Sequence, residues 1–267
     1  MQLSGRHVVV TGGAGGIGSA LVRRIDAEGA RAVVVADREI EPARALAAEV
    51  GGLAIELDAS QPASVSGLIE QATEASGPID IFISNAGVPG ASGGPEVADE
   101  IWEDCWRVNV MAHVWAAREL LPQMIERGEG YLINTASAAG LLTQVSSLIY
   151  SVTKHAAVAL AEWLAIEYRD RGVRVSCICP QGVRTAMLEL ALQEPVAAAA
   201  LNTGELIEPD AVAEAVVAGI EEERFLILPH PEVARYMAFR GAEPERWLEG
   251  MRRLVRGARS DAGAPPG

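Results

Sequence analysis

Apolar positions along the chain gather in short continuous runs, and amphipathic stretches separate them. The runs are His7 to Val10, Ala32 to Ala36, Leu53 to Leu57, Ile79 to Ile83, Tyr131 to Thr135, Val173 to Ile178 and Phe225 to Leu228. Short apolar runs without alternation are those of strands buried on both faces. In the first intervening stretch, Ile17, Leu21, Val22 and Ile25 share one helical face, with Arg23, Arg24 and Glu28 opposite and Gly29 as the stop. Further helices are predicted from Glu41 to Val50 and from Pro62 to about Ser76. A long one starts at Glu100, continues or breaks near Asn109 and reaches Arg127. Others run from Ser147 to Arg171, Pro209 to about Ile220, Glu232 to Phe239 and Pro244 to Arg256. Residues 88–97 read as a loop, residues 180–208 as a loop with one or two short helices, and residues 260–267 as a disordered tail.

Strands alternating with helices imply right-handed crossovers and a parallel sheet covered on both faces. The prediction is an α/β fold: one doubly wound Rossmann-type domain over residues 1–259, with a helical C-terminal extension from about residue 230.

The strand ends carry the candidate chemistry. The first strand runs into Thr11-Gly12-Gly13-Ala14-Gly15-Gly16-Ile17-Gly18. Glycines let the backbone turn sharply and approach a ligand, and the helix that opens there offers free N–H groups to a phosphate. Such a turn signifies a dinucleotide site when, as here, it links a strand to a helix inside a βαβ unit. Asp37 closes the second strand, 19 residues after Gly18. A carboxylate there accepts from adenosine ribose hydroxyls and repels a 2′-phosphate, while Arg38 beside it softens that repulsion. The pair predicts NAD in preference to NADP; the bland alternative for Asp37 is an ordinary turn. Asp58 either receives an adenine amino group or caps the helix near Pro62. Asn85-Ala86-Gly87 ends the fourth strand where ligands collect, as cofactor site or plain turn.

Tyr150 and Lys154 lie four residues apart on a predicted helix and so share a face. An ammonium beside a phenol favours the phenolate, which makes Tyr150 a candidate general acid/base. Ser137 follows the fifth strand, and its hydroxyl would donate to the oxygen that Tyr150 serves. Alone, Tyr-x-x-x-Lys reads more readily as a helix surface pair; the rest of the chain reverses that weighting.

Composition narrows the partners. The chain of 267 residues is 49% hydrophobic and carries 22 basic against 36 acidic residues, a net charge of −14. An acidic chain without a basic block argues against nucleic acid and against an anionic membrane surface. Arg252, Arg253, Arg256 and Arg259 read as the solvated side of a last helix. Cys177 and Cys179 lie on one face of a strand and Cys105 stands apart, a pattern that fits a reducing cytosol and no metal site. With no signal-peptide layout and no apolar stretch of the ~18 residues a spanning helix needs, the expectation is a soluble cytoplasmic protein.

Together these residues resemble the short-chain dehydrogenase/reductase family, over most of the chain from Gly5 to Leu228. The pieces are Thr11-Gly-x-x-x-Gly16-x-Gly18, Asp58, Asn85-Ala-Gly87, Asn109, Ser137, Tyr150-x-x-x-Lys154 and Thr185. The stretch from Cys177 to Thr185 looks most like the NAD-dependent alcohol dehydrogenases of that family. The resemblance implies Tyr150 as acid/base, Ser137 orienting the substrate oxygen, and Lys154 binding ribose and lowering the Tyr150 pKa. It implies a proton-relay water at Asn109, Ile17 beside the nicotinamide, and Thr185 on its carboxamide or a phosphate. Gly12, Gly16, Gly18, Ala59, Pro180, Gly182 and Val183 complete the implied cofactor site. Hydride would pass between nicotinamide and a carbinol carbon. A homodimer or homotetramer is implied, and Trp102, Trp106, Trp115 and Trp163 on the helices around Asn109 and Tyr150 supply apolar surface for it.

Two departures from the family pattern stand out: Ser84 where Asn is usual, and Gln181 after Pro180 in place of the usual Gly. Gln181 is expected to shape the substrate pocket or contact the carboxamide. Ala186, Met187, Leu188, Leu190, Ala191 and Leu192 form a candidate apolar lid, and with Val88, Leu141 and Leu142 they predict a hydrophobic secondary alcohol or ketone as substrate. His113, His155 and His230 read as structural or surface residues. The other readings are an NADP-dependent ketone reductase, a non-catalytic dinucleotide sensor, and a lyase-type relative without a nicotinamide site.

Overall fold

Val8, Val9 and Val10 set the two layers of the molecule. In strand β1 (His7–Thr11), Val8 and Val10 enter one apolar core and Val9 the other, all three fully buried. β1 pairs in parallel with β2 (Ala32–Asp37) on one side and with β4 (Ile81–Ser84) on the other. β3 (Leu53–Glu56), β5 (Gly130–Thr135), β6 (Val173–Ile178) and β7 (Leu226–Ile227) extend the sheet outward. The computed structural model describes residues 1–201 and 204–261, and among these the seven strands run all parallel in the order β3-β2-β1-β4-β5-β6-β7. Strand order reverses between β1 and β4, which opens a crevice at the carboxyl ends of those strands.

Helices α1 (Gly16–Ala27), α2 (Ile40–Glu49) and α10 (Pro209–Glu221) cover the Val8–Val10 face. Helices α3 (Pro62–Ser76), α5 (Ala112–Arg127) and α7 (Leu148–Tyr168) cover the Val9 face. α4 (Asp99–Trp106) passes into α5 through a π-helical turn, Arg107–Met111, so the expected irregularity near Asn109 is a change of helical pitch. Between β6 and α10 lie α8 (Ala186–Ala191) and α9 (Pro195–Leu201).

The structure departs from the sequence pattern in small ways. α6 (Ala139–Leu142) had no signal; Ser137 Oγ accepts from Ala139 N–H at 3.1 Å and starts it. Ile79 and Asp80 precede β4, because Asp80 uses its carboxylate to accept the His7 N–H at 2.8 Å. After α11 (Glu232–Ala242), α12 (Pro244–Asp261) runs past Arg256, so Ser260 and Asp261 are helical where a tail was expected. Residues 262–267 of that tail lie outside the described residues. Trp115 is buried in the core, while Trp106 and Trp163 are exposed. Arg252, Arg253 and Arg256 lie on the solvent side of α12 with Glu249. No helix among the described residues is long and apolar enough to cross a membrane.

Candidate active site

The glycine turn between β1 and α1 is shaped by contacts that exclude a side chain. Gly12 has φ +61°, and a Cβ there would stand 2.9 Å from the Ala86 Cα. A Cβ on Gly18 would stand 1.9 Å from the Gly12 carbonyl oxygen, so α1 packs on the turn backbone to backbone. Thr11 locks the turn to the end of β4: its Oγ1 accepts the N–H groups of Asn85 (2.9 Å) and Ala86 (3.0 Å). Asn85 returns the tie, donating Nδ2 to the carbonyls of Thr11 (3.1 Å) and Gly12 (3.2 Å).

Asp37 faces this turn. Its Oδ2 accepts the Ala14 N–H at 3.0 Å and its Oδ1 the Glu39 N–H at 3.1 Å. Arg38 points away into solvent beside Glu39. Asp58 spends Oδ1 on the N–H (2.9 Å) and hydroxyl (2.7 Å) of Ser60, in the turn before α3, so its carboxylate closes that turn and does not cap the helix. A close-approach glycine turn at a helix start, with a carboxylate at the next strand end, fits a dinucleotide.

On the other side of the crevice, Ser147 caps α7 by accepting the Tyr150 N–H at 3.4 Å, and the first turns of that helix carry Tyr150 and Lys154. Lys154 Nζ lies 5.7 Å from the centre of the Tyr150 ring and donates to the Thr135 carbonyl at 3.0 Å. Burial holds Lys154 well below its usual range, at about 8. Burial also pushes the half-buried Tyr150 phenol up, and the Ser137 hydroxyl partly offsets this. The expected depression of the phenol by Lys154 is therefore not present in the free protein: the ammonium points at a backbone carbonyl, and desolvation dominates. Ser137 Oγ is held by the Pro180 carbonyl at 3.4 Å.

Asn109 is fully buried in the π turn. Its Oδ1 accepts the Val88 N–H at 2.9 Å, and its Nδ2 donates to the Val88 carbonyl at 2.9 Å and to Thr153 Oγ1 at 3.2 Å. Its side chain thus fastens the loop after β4 rather than facing the cleft. A Cβ on Gly87 would stand 3.3 Å from both Asn109 Oδ1 and Lys154 Nζ, so only glycine fits there without pressing on them.

The cleft between these walls encloses about 370 Å³. It brings together Gly12, Gly16, Ile17, Asn85, Ala86, Gly87, Ser137, Tyr150, Lys154, Pro180, Gln181, Val183, Thr185 and Met187 from the sequence-predicted set. Gly18, Asp37, Arg38, Asp58, Ala59, Asn109, Leu141 and Gly182 do not line it. Leu141 and Leu142 are buried in the core against α7, and α6 carries them away from the opening. Gly182 instead lies under Leu206, whose Cδ2 would meet a Cβ there at 2.4 Å. Of the lid residues, Ala186, Met187, Leu188 and Ala191 line the cleft, whereas Leu190 and Leu192 face solvent. The Thr185 hydroxyl caps α8, accepting the Leu188 N–H at 3.3 Å.

Sequence reasoning missed Gln144 and Leu201, which line the cleft from segments without a motif, and it placed Thr11 in the glycine motif without reading its lock on the end of β4. It also missed the use of His230. This buried histidine accepts the Gln181 N–H on Nδ1 (3.1 Å) and meets the Gly182 carbonyl through Nε2 (3.2 Å), clasping the loop that carries Gln181.

A nucleotide-binding α/β fold with a phenol and an ammonium at the cleft defines a class, the oxidoreductases that use a nicotinamide cofactor. Residues 6–195 match the family model for short chain dehydrogenases, and the chain belongs to that family. It is 39% identical over 197 residues to the 1-deoxy-11-beta-hydroxypentalenate dehydrogenase of Streptomyces exfoliatus, covering 71% of each chain. It is 37% identical over 226 residues to the 2,5-dichloro-2,5-cyclohexadiene-1,4-diol dehydrogenase of Sphingobium indicum, covering 81% of this chain and 90% of that one. Among solved structures, a short chain dehydrogenase/reductase from Burkholderia phymatum in complex with NAD superposes with a TM-score of 0.82 at 29% identity, over 92% of this chain and 96% of that one.

Proposed function

We propose that the protein is an NAD-dependent dehydrogenase that interconverts a cyclic, largely apolar secondary alcohol and its ketone. The observation that carries this reading is the meeting of Ser137, Tyr150 and Lys154 in the same cleft as the glycine turn. Tyr150 takes the hydroxyl proton during oxidation and returns it during reduction, Ser137 orients the substrate oxygen, and Lys154 binds the nicotinamide ribose. The nicotinamide, when bound, supplies the hydride acceptor or donor. The Asn109 side chain is already committed to Val88 and Thr153, so its part is to hold the loop after β4 against the Tyr150–Lys154 helix.

Asp37 at the glycine turn, with Arg38 drawn toward Glu39, supports NAD over NADP: a 2′-phosphate would meet the Asp37 carboxylate. The apolar lid supports a hydrophobic substrate, and both relatives are named for dehydrogenation of cyclic compounds. The exposed Trp106, Trp163 and Ile166 on α4 and α7 support assembly of like subunits through that face.

Fluorescence titrations with NADH and NADPH, followed by NAD reduction with a panel of cyclic alcohols, test the reading. Tight NADH, weak NADPH and turnover of at least one cyclic alcohol are expected, and Asp37→Ser should narrow the cofactor preference. Preference for NADPH would overturn the cofactor assignment; binding of neither would overturn the function.

A further inference from the structure

The cleft holds two primary amides that the hydride-transfer machinery does not use, Gln144 and Gln181. They reach it from two separate connections, α6 to α7 and β6 to α8. Each is fixed at its backbone. Gln144 donates its N–H to Ser151 Oγ at 2.8 Å and accepts from the same hydroxyl at 2.9 Å. Gln181 is clasped by His230 at 3.1 Å, and the Pro180 carbonyl before it bonds Ser137 Oγ and the Ala138 N–H. Gln181 is therefore anchored within two residues of a group that also holds Ser137.

The side chains are less satisfied than the backbones. Gln144 donates Nε2 to Ser146 Oγ at 2.9 Å, and its Oε1 accepts no hydrogen bond from the described residues. The Gln181 Oε1 is buried and accepts none either. A buried amide oxygen without a donor is unfavourable, so such groups mark a missing partner. Space and strain are both committed to this arrangement. Gly204 leaves room for the Gln181 amide, which would stand 3.2 Å from a Cβ there. Thr143, a β-branched residue, adopts φ +69° to turn the chain into Gln144. The remaining outer walls, Pro89, Met187, Leu188, Ala191 and Leu201, are apolar.

We infer that Gln144 and Gln181 are specificity-determining residues whose amide oxygens, that of Gln181 once its amide turns from Gly204 to the cleft, accept from a second hydroxyl on the substrate, so that the preferred substrate is a cyclic diol or hydroxyketone. The inference rests on the dehydrogenase reading above and deepens it. Donors that are not the reacting carbinol are what two acceptor oxygens select, and a site built for a hydroxyl rejects the analogue that lacks it.

The test compares cyclohexanol with the isomeric 1,2- and 1,4-cyclohexanediols in wild type, Gln144→Leu and Gln181→Leu, at saturating NAD. Wild type should favour at least one diol in kcat/KM by about 10- to 100-fold, and each variant should lose most of that ratio. NADH affinity and the thermal midpoint of each variant should stay at wild-type values. No diol preference in wild type, or a ratio unchanged in both variants, overturns the inference. So does loss of NADH affinity in Gln181→Leu with the ratio retained, which would put Gln181 on the cofactor. If wild type binds NADH but oxidises none of these alcohols, saturation-transfer NMR of diol against cyclohexanol decides, and equal binding overturns the inference. If NADH itself does not bind, the dehydrogenase reading has failed, and the same NMR comparison still judges the glutamines.

Discussion

Replacing His113 with leucine should flatten the acid limb of the stability curve. His113 begins α5 just after the π turn, is almost fully buried, and neither ring nitrogen has a partner within hydrogen-bonding geometry among the described residues, the Asn109 carbonyl being the acceptor its ring faces. Burial and the Lys154 ammonium hold its pKa down, from the ordinary 6.5 to about 3, with the Asn109 carbonyl only partly offsetting them. The unfolded chain therefore takes up a proton at this site near pH 6.5 that the folded chain refuses until about pH 3. Stability must fall as pH drops through that window and recover as pH rises. The whole shift corresponds to roughly 5 kcal/mol, of which roughly 2 kcal/mol has been lost by about pH 5, where most carboxylates are still ionised. Leucine has similar volume and does not titrate. Urea unfolding followed by far-UV circular dichroism at about pH 5 and about pH 7.5, at one protein concentration, measures the difference. His7 is also held down by burial, but it is common to both proteins and cancels. The expected result is a wild-type loss between the two pH values that exceeds the variant's by roughly 2 kcal/mol. Parallel losses would mean that His113 is charged or solvated in the fold, and the burial argument would be wrong.

Two further substitutions address the site. Tyr150→Phe should abolish alcohol oxidation, by about 1,000-fold or more in kcat, while leaving NADH fluorescence titrations near wild type; retained turnover would remove Tyr150 from the acid/base role. Because burial raises the phenol in the free protein, wild-type oxidation at limiting alcohol should rise with pH through the neutral range, and a flat profile would contradict that ordering. Gly18→Ala should cost both NADH affinity and several degrees of thermal midpoint, since its Cβ would stand 1.9 Å from the Gly12 carbonyl oxygen. A stable variant with normal NADH binding would show that α1 shifts freely on the turn.

The strands were legible because both faces of the sheet are covered, which turns each into a continuous apolar run such as Val8-Val9-Val10. The glycine turn and the Tyr150–Lys154 spacing were legible for a different reason: backbone proximity at Gly12 and Gly18, and a shared helical face, are local requirements that residue type alone reveals. What remained hidden depends on distant partners. Nothing near Gln144 announces that Thr143 will turn it into the cleft, and nothing near His230 announces that it will clasp a loop 49 residues earlier. Leu141 was misplaced because apolar character near Ser137 suits either a pocket wall or a core. The four-residue helix α6, started by Ser137 itself, chose the core. The phenol pKa was misjudged because spacing predicts that Lys154 is near but not which acceptor its ammonium faces.

The hydrogen bonds divide the cleft into two parts with different freedom to change. On the glycine-turn side, Thr11, Asn85 and Lys154 are tied to strand ends and Asn109 to the loop after β4, so each residue there is held by the sheet or its connections. A substitution at any of them strands a buried donor or acceptor, at a cost of about 1–3 kcal/mol before any effect on binding. On the opposite wall, Met187, Leu188, Ala191 and Leu201 belong to short helices between β6 and α10 that cross no strand and contribute only apolar surface. Exchange among residues of that kind alters cleft shape without leaving a polar group unpaired. Gln181 stands at the boundary: its backbone belongs to the fixed part through His230 and Pro180, and its amide belongs to the variable part. One position of that kind can alter the shape and polarity of the cleft while Ser137 and Tyr150 stay where they are.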